Sequence, residues 1–346
     1  MYNEELQMYL KNSQIFELIV VCCVLPSLLM SCDKGEEAKS TEVKQAAVST
    51  EVEPEKEAPK ASATCVVTSK DGEPLQFKKS KDLDRKFVVL GGTLSEIVST
   101  LGHGDAVVGT DTSSTYPPSI KDKPKVGYYR KVSAEGVLSL APTDVLTLPG
   151  AGPEAAIKQL QGTGLKLHEI EVDEGVDGAL ERVSLVGKLL GEETCATELA
   201  SRMKSTLDDV KTEREKIQSK DKKTKILFVY ARGANVLMVS GKDTPADEMI
   251  TLAGFENAVS EFEGFKPLSS EVVLEVQPDV ILIPEKGAES LGGADGVYKL
   301  PGLSLTEAAK NKRLVMIDDL ALLGFGPRFP DALLAMQKEV GKFSEE

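Results

Sequence analysis

The sequence is poor in the side chains from which metal centres and acid–base catalytic sites are usually built. It has no tryptophan and only two histidines, His103 and His168, and its five cysteines include no CxxC pair. A zinc site needs a cluster of cysteine and histidine ligands, so a zinc or manganese site is not expected. The GxSxG, HExxH and GxxxxGK[ST] motifs are absent, and two histidines offer little general-base capacity near neutral pH. The sequence therefore argues against an enzyme.

Positive charge is also in short supply. Lysine and arginine total 41 against 55 aspartates and glutamates, which gives a formal net charge of −14 at pH 7. A nucleic-acid-binding protein needs a basic face to offset the phosphates, so nucleic acid is not expected as a partner. An acidic balance is otherwise compatible with simple solubility.

The N-terminal region carries an apolar run at 15–30, IFELIVVCCVLPSLLM. This run is shorter than the ~20 residues of a membrane-spanning helix and has the length of a signal peptide. Ser31-Cys32 follows it and resembles a bacterial lipobox, so we expect a lipoprotein signal peptide over 1–32 and lipidation at Cys32. The alternative is an uncleaved membrane anchor, which Glu17 and Pro26 disfavour. Either reading places the rest of the chain outside the cytoplasmic membrane, in the periplasm or at the cell surface.

A polar segment follows the predicted anchor. From 33 to 64 the chain is mostly Lys, Glu, Ala, Ser, Thr and Pro, without an aromatic residue, and such a composition buries too little apolar surface to fold. We predict a flexible acidic tether over 33–80. The sequence leaves open whether Cys65 and Cys195 pair in an oxidising compartment.

The remainder alternates between short apolar runs and helical patterns. Strands are predicted at 87–90, 106–109 and 145–148, and helices beginning near Thr93 and Ser133. Thr93 stands three residues before Glu96, which resembles a capping box at the first helix. Strands that alternate with helices at this spacing indicate βαβ units and a parallel sheet.

The middle of the chain is almost continuously helical in pattern. Few helix breakers interrupt 176–220, although Gly191 stands within it. We therefore predict an α/β protein with two similar βαβ lobes, at 81–175 and 221–346, joined by a single long spine helix over 176–220. Ligands in such proteins bind beyond the carboxyl ends of the strands, here in a cleft between the lobes.

An internal repeat supports the two lobes. SAEGVLSLAPTDVL (133–146) returns, with one deletion, as SSEVVLEVQPDVI (269–281). Each copy predicts a capped helix, a turn at a proline and a buried strand. Glu135 and Glu271 occupy equivalent positions in the first turns of these helices, where a carboxylate is stabilising by itself.

Several stretches resemble the haem-binding periplasmic proteins of bacterial haem ABC importers, a branch of the helix-linked binding proteins that also carry cobalamin and siderophores. The resemblance covers about 87–340. The stretches are GGTLSEIVSTLG (91–102), VGTDTSSTYP (108–117), VGYYRKVSAEGVLSLAPTDVL (126–146), SGKDTPADEMITLAGFENAV (240–259) and LLGFGPR (322–328). VGYYR and GFGPR are the stretches characteristic of the haem branch.

The resemblance implies roles for particular residues. Tyr128 matches the tyrosine that ligates the haem iron, and Arg130 matches the arginine beside it. Tyr129 departs from the methionine common in the family. Alternation along an extended segment would point Tyr128 and Arg130 to one side and Tyr129 to the other.

The chemistry of ferric haem suits this assignment. Ferric iron is a hard Lewis acid, and a phenolate oxygen is a hard anionic ligand for haem iron. The propionates need basic partners, ideally arginine. Candidates are Arg130, Lys131, Arg232, Lys242, Lys266 and Arg328. We expect His168 to be a half-exposed strand residue, rather than a second ligand, and His103 to lie at the C-terminal end of a helix.

The family also implies a membrane partner. Matched lobe glutamates, here Glu135 and Glu271, would dock onto the permease dimer of an ABC transporter. The hypothesis is thus a monomeric, lipid-anchored binding protein that captures ferric haem and delivers it to that permease. A binding protein for cobalamin or a ferric siderophore is the alternative.

Overall fold

The computed structural model describes residues 84–218 and 223–343. The predicted signal peptide, Cys32, the tether, Cys65 and the outermost ends of the predicted lobes and spine lie outside these residues. Within 84–218 and 223–343, no helix is long and apolar enough to cross a membrane.

The N-terminal lobe is built on a parallel sheet. Its strands, together with a short hairpin, are β1 (Phe87–Leu90), β2 (Val107–Thr110), β3 (Gly127–Tyr128), β4 (Lys131–Val132), β5 (Asp144–Thr147) and β6 (Lys166–Glu169). The sheet order is β2-β1-β5-β6, and every neighbouring pair is parallel, whereas β3 and β4 pair antiparallel. All four residues of β1 are buried, as the continuous apolar run FVVL predicts for a strand covered on both faces.

The described part of this lobe contains four α-helices. They are α1 (Gly92–Val98), α2 (Pro118–Lys121), α3 (Ala134–Ser139) and α4 (Glu154–Gln161). The helical path continues after α1 through a wide turn at Ser99–His103 and a 3₁₀ turn at Gly104–Ala106. The predicted capping box at α1 is wrong: Gly91 is the N-cap residue and no side chain caps the helix. Thr93 and Glu96 have partners elsewhere in the fold.

Two consecutive helices link the lobes, α5 (Gly175–Leu190) and α6 (Glu193–Gln218). The long helix is confirmed as α6, but the spine is divided at Gly191, which has a φ of 74°. The amides of Gly191 and Glu192 donate to the carbonyls of Lys188 and Gly187, 3.3 and 2.8 Å away, in the pattern of a Schellman helix end. Glycine adopts this left-handed conformation without the Cβ penalty that other residues meet.

Within 223–343, the C-terminal lobe contains a six-stranded mixed sheet. Its strands are β7 (Lys225–Ala231), β8 (Leu237–Ser240), β9 (Glu256–Asn257), β10 (Phe265–Pro267), β11 (Val280–Pro284) and β12 (Leu314–Ile317). The order is β10-β8-β7-β11-β12, with β9 also paired to β7. The α-helices are α7 (Pro245–Leu252), α8 (Ser270–Val276), α9 (Glu285–Ser290), α10 (Ala294–Tyr298), α11 (Glu307–Lys310), α12 (Asp319–Leu323) and α13 (Phe329–Lys342).

The internal repeat is visible in the backbone. Helix α3 leads into β5 as α8 leads into β11, and the residues just before the two prolines, Ala141 and Gln277, have φ values of 45° and 44°. Ser133 and Ser269 cap the two helices by accepting the amides of Gly136 and Val272. The two lobes therefore share a helix–turn–strand unit, as the sequence predicts.

One hydrophobic cluster spans both lobes. Phe87 and Val89 of β1 and Ile226 and Phe228 of β7 face it, together with buried residues of α5, α6 and α13. Alternate residues of the same strands face a separate cluster on the other side of each sheet. Because the lobes share this core, their relative movement is restrained.

Candidate functional site

A tight hairpin carries the predicted iron ligand. Gly127 pairs with Val132 and Tyr128 with Lys131, so Tyr129 and Arg130 form the turn. Gly127 has a φ of 109°, and a Cβ atom there would lie 2.4 Å from the carbonyl oxygen of Lys131. A side chain at this position would therefore both strain the backbone and break the hairpin, which explains the glycine before the tyrosine pair.

Two loops hold this hairpin at one edge of the N-terminal sheet. The amide of Thr112, which follows β2, donates to the Gly127 carbonyl at 2.9 Å, and the amide of Gly152, which follows β5, donates to the Tyr129 carbonyl at 3.0 Å. Both loops leave the carboxyl ends of parallel strands. The hairpin therefore lies at the sheet edge where binding clefts of open α/β proteins form.

Tyr128 is unusually exposed for an aromatic residue. It is 41% exposed, whereas Tyr129 beside it is half-buried and packs against the N-terminal lobe core. The two rings meet edge to face, with their centroids 4.9 Å apart. The Tyr128 side chain is thus exposed to solvent, and its ring packs against the ring of Tyr129.

Arg130 is bound to Tyr129. Its Nε donates to the Tyr129 hydroxyl at 2.8 Å, and its guanidinium carbon lies 5.0 Å from the centre of that ring. Burial raises the pKa of Tyr129, the neighbouring Tyr128 raises it further, and Arg130 lowers it. Tyr129 and Arg130 occupy a turn rather than the extended segment assumed for 128–130, and Tyr128 and Arg130 are exposed whereas Tyr129 is half-buried.

The C-terminal lobe also places polar groups at the carboxyl ends of its strands. Arg232 lies over the Tyr230 ring at 5.6 Å, just beyond β7. Lys286, at the start of α9, donates its amide to the Asp319 carboxylate at 3.2 Å. This edge thus offers a second tyrosine–arginine pair two residues apart.

The six candidate propionate partners are in different environments. Lys131 is the cross-strand neighbour of Tyr128, and Arg130 lies on the same hairpin. The ammonium of Lys266 lies 4.3 Å from the centre of the Phe262 ring, and Arg232 and Lys242 are exposed. Arg328 already binds two carboxylates, those of Glu96 and Asp318. Of the six candidates, Arg130 and Lys131 are therefore the ones that lie on the same hairpin as Tyr128.

Both histidines bind carboxylates. His168 lies in β6, partly exposed as predicted, with its Nε2 2.9 Å from Asp144. His103 ends its helical turn as predicted but is buried, with its Nε2 3.3 Å from Glu192. Among the residues of 84–218 and 223–343, no group of three or more His, Cys, Asp or Glu side chains is placed to hold a metal ion.

The two matched glutamates are exposed. Glu135 and Glu271 lie in the first turns of α3 and α8, one on each lobe. Their equivalent placement follows from the repeat.

Two residues that organise the loop after β2 were not singled out from the sequence. Asp111 is fully buried and accepts the Gly91 amide at 3.0 Å and the Ser113 amide at 2.9 Å, so it fixes the loop after β2 to the start of α1. Lys125 donates to Thr110 Oγ at 2.8 Å, and desolvation lowers its pKa. Asp111 lies in VGTDTSS, whose density of short polar residues is the signal that marks a structured loop.

Comparison with known proteins identifies the class of this fold and site. The family model described as "Periplasmic binding protein" matches residues 88–321. The chain belongs to this family.

Individual relatives, including one with a solved structure, support membership of this family. The periplasmic heme-binding protein RhuT from Roseiflexus sp. RS-1 is similar, with 38% identity and a TM-score of 0.69, over 75% of this chain and 98% of that one. The uncharacterised ABC transporter substrate-binding lipoprotein YvrC of Bacillus subtilis is 27% identical over 95% of this chain and 97% of its own length. A vitamin B12-binding protein of Vibrio campbellii is 26% identical over 57% of this chain and 70% of its own.

These likenesses establish the general role. The chain is a substrate-binding protein of an ABC transporter and not an enzyme. The predicted two-lobe α/β fold with a long linking helix is confirmed. The relatives differ in their ligands, haem in one case and vitamin B12 in another.

Proposed function

We propose that the protein captures ferric haem outside the cytoplasmic membrane and hands it to the permease dimer of an ABC importer. The observation that carries the proposal is Tyr128, 41% exposed on a hairpin at the carboxyl ends of the N-terminal strands. Arg130 and Lys131 beside it supply cations for the propionates. A phenolate at this position is the hard anionic ligand that ferric iron prefers.

Cobalamin or a ferric siderophore is the second candidate, and the likeness to vitamin B12-binding proteins supports it. Parallel absorbance titrations of the purified full chain in detergent, with ferric haem and with cyanocobalamin, separate the two ligands. We expect haem to give a saturable spectral change that excess cobalamin does not reverse. Saturable binding of cobalamin that displaces haem would contradict the proposal.

Delivery would proceed through the two lobe glutamates. We propose that Glu135 and Glu271 dock onto basic residues of the permease, because they are exposed and equivalent. Reversing both charges to lysine is expected to abolish uptake in cells while haem titration stays unchanged. Glu154→Lys with Glu307→Lys is the matched control, since these are also exposed first-turn glutamates, one per lobe. Loss of haem binding in the Glu135/Glu271 variant would count against docking.

Anchoring would keep the protein beside its transporter. We propose that Cys32 is lipidated and that the monomeric protein is tethered through 33–80. Cys32→Ser is expected to move the protein from the membrane fraction to the soluble fraction, and an unchanged distribution would contradict this.

A further inference from the structure

A partly buried contact between the lobes is formed by residues that have no role in the proposed haem site. Helix α1 of the N-terminal lobe meets the loop 324–328, which joins α12 to α13. Thr93 Oγ donates to the Gly324 carbonyl at 2.7 Å, and Arg328 binds Glu96. We call Thr93, Glu96, Gly324 and Arg328 the interlobe clasp.

The ion pair in the clasp is bidentate, and its carboxylate is buried. Arg328 Nε and Nη2 each lie 3.1 Å from one oxygen of Glu96, which is 1% exposed. Removal of Arg328 would leave the buried Glu96 carboxylate without a cationic partner, which is costly. The clasp is therefore hard to open by solvent alone.

Further groups hold Arg328 in place. Its Nη2 also donates to Asp318 Oδ1 at 2.9 Å, and its guanidinium lies 3.6 Å from the centre of the Tyr116 ring. Tyr116 belongs to the N-terminal lobe and Asp318 to the C-terminal lobe. Arg328 therefore contacts both lobes at once.

The loop that carries Arg328 is shaped to reach α1. A Cβ atom at Gly324 would lie 2.9 Å from Thr93 Oγ, and one at Gly326 would lie 3.3 Å from the Thr93 methyl group. Phe325 between them has a φ of 47°, and its carbonyl accepts Arg182 Nη1 at 3.2 Å. The sequence GFGPR thus has a structural explanation in close backbone approach.

The clasp connects to the cleft on the N-terminal side. The amide of Gly92, the first residue of α1, donates to Ser113 Oγ at 3.0 Å, and the same loop leads to Tyr116. A movement of the lobes that parts Glu96 from Arg328 would therefore also part Arg328 from Tyr116 on this loop.

We propose that Glu96 and Arg328 are positioning residues that hold the lobes at the separation needed for ligand binding, and that this pair breaks when the permease pulls the lobes apart. Arg328 would act through Glu96 and not by touching the ligand. The second half of this statement rests on the proposed transport function, whereas the first half does not.

The test is hydrogen–deuterium exchange of the ligand-free full chain, with Arg328→Met and the milder Arg328→Lys. Exchange in α1 and in 324–328 is expected to rise by about tenfold in Arg328→Met and by less in Arg328→Lys, because lysine keeps the charge without the bidentate geometry. Arg85→Met is the matched control: Arg85 binds Asp144 at 2.8 Å within the N-terminal lobe, so its loss should affect β5 and spare 324–328.

Haem transfer to apomyoglobin supplies the second readout. Arg328→Met is expected to release haem about tenfold faster, with the tyrosinate spectrum of the bound form unchanged, since the iron ligand is untouched. Unchanged exchange in α1, or an increase spread equally over both lobes, would overturn the positioning role. If no haem binds to the wild type, the proposed function fails while the exchange measurement still decides the clasp.

Discussion

The cluster around Asp144 yields a stability prediction that is independent of ligand. Asp144 is 1% exposed at the amino end of β5 and accepts Arg85 Nη2 at 2.8 Å and Thr143 Oγ at 2.7 Å, with His168 Nε2 2.9 Å away. Burial alone would raise the pKa of Asp144, but hydrogen bonds from these three residues outweigh it and lower the pKa from 3.8 to about 2. The ionised carboxylate therefore stabilises the folded protein.

The size of this stabilisation follows from the difference between the ordinary pKa of Asp144 and its pKa in the folded protein. A fall from 3.8 to about 2 corresponds to roughly 2.4 kcal/mol. Arg85 and His168 are 24% and 26% exposed, so solvent screening reduces the contribution to about 1–2 kcal/mol. Because the folded pKa is depressed, the stabilisation is present above pH 3.8 and is lost as the pH falls towards 2, with roughly half gone by pH 3.

Asp144→Asn is therefore expected to lower the melting temperature at pH 7 by about 3–8 °C. The difference in melting temperature between Asp144→Asn and the wild type should narrow as the pH falls from 5 to 3 in circular-dichroism melts. The affinity for haem should stay unchanged, since Asp144 lies at the amino end of β5 and the hairpin lies at the carboxyl end. Asp208→Asn, on the exposed face of α6, serves as the control. A melting temperature within 1 °C of wild type, or a gap that is constant with pH, would refute the reasoning.

Three further predictions concern the hairpin, the spine and the cysteines. Tyr129→Phe removes the hydroxyl that holds Arg130 and should weaken haem binding about fivefold in titrations, the effect of one hydrogen bond; unchanged affinity would contradict this. Gly191→Ala should cost about 1–2 kcal/mol in urea unfolding through its positive φ alone, since a Cβ atom meets nothing within 4 Å, and no loss would contradict the helix-end account. Cys195 is disulfide-bonded. Non-reducing peptide mapping should identify Cys65, because the other cysteines belong to the predicted signal peptide and lipobox; a different partner would contradict this.

The strands and the repeat were predictable because their information is local. Phe87–Leu90 is a continuous apolar run, and the helix–turn–strand units carry their own serine caps and prolines. Gly191 likewise marks a helix end by a local property, its freedom to take a positive φ, so the break in the spine was visible as an alternative to one continuous helix.

The interlobe contacts were not predictable for the opposite reason. Thr93 and Glu96 have the spacing of a local capping box, yet their partners are Gly324 and Arg328, which lie more than 200 residues away. A sequence pattern gives local alternatives, and the tertiary fold decides between them. The pairing of Arg130 with Tyr129 has the same origin, since it depends on where the hairpin turns.

The most direct test of the account is a visible-absorbance titration of the purified full chain with ferric haem, beside Tyr128→Phe and Tyr129→Phe. The account predicts a saturable, tyrosinate-type high-spin spectrum for the wild type and for Tyr129→Phe, and its loss in Tyr128→Phe. A wild-type spectrum that stays that of free haem would contradict haem as the ligand. A tyrosinate spectrum that survives in Tyr128→Phe would contradict Tyr128 as the residue that binds the iron.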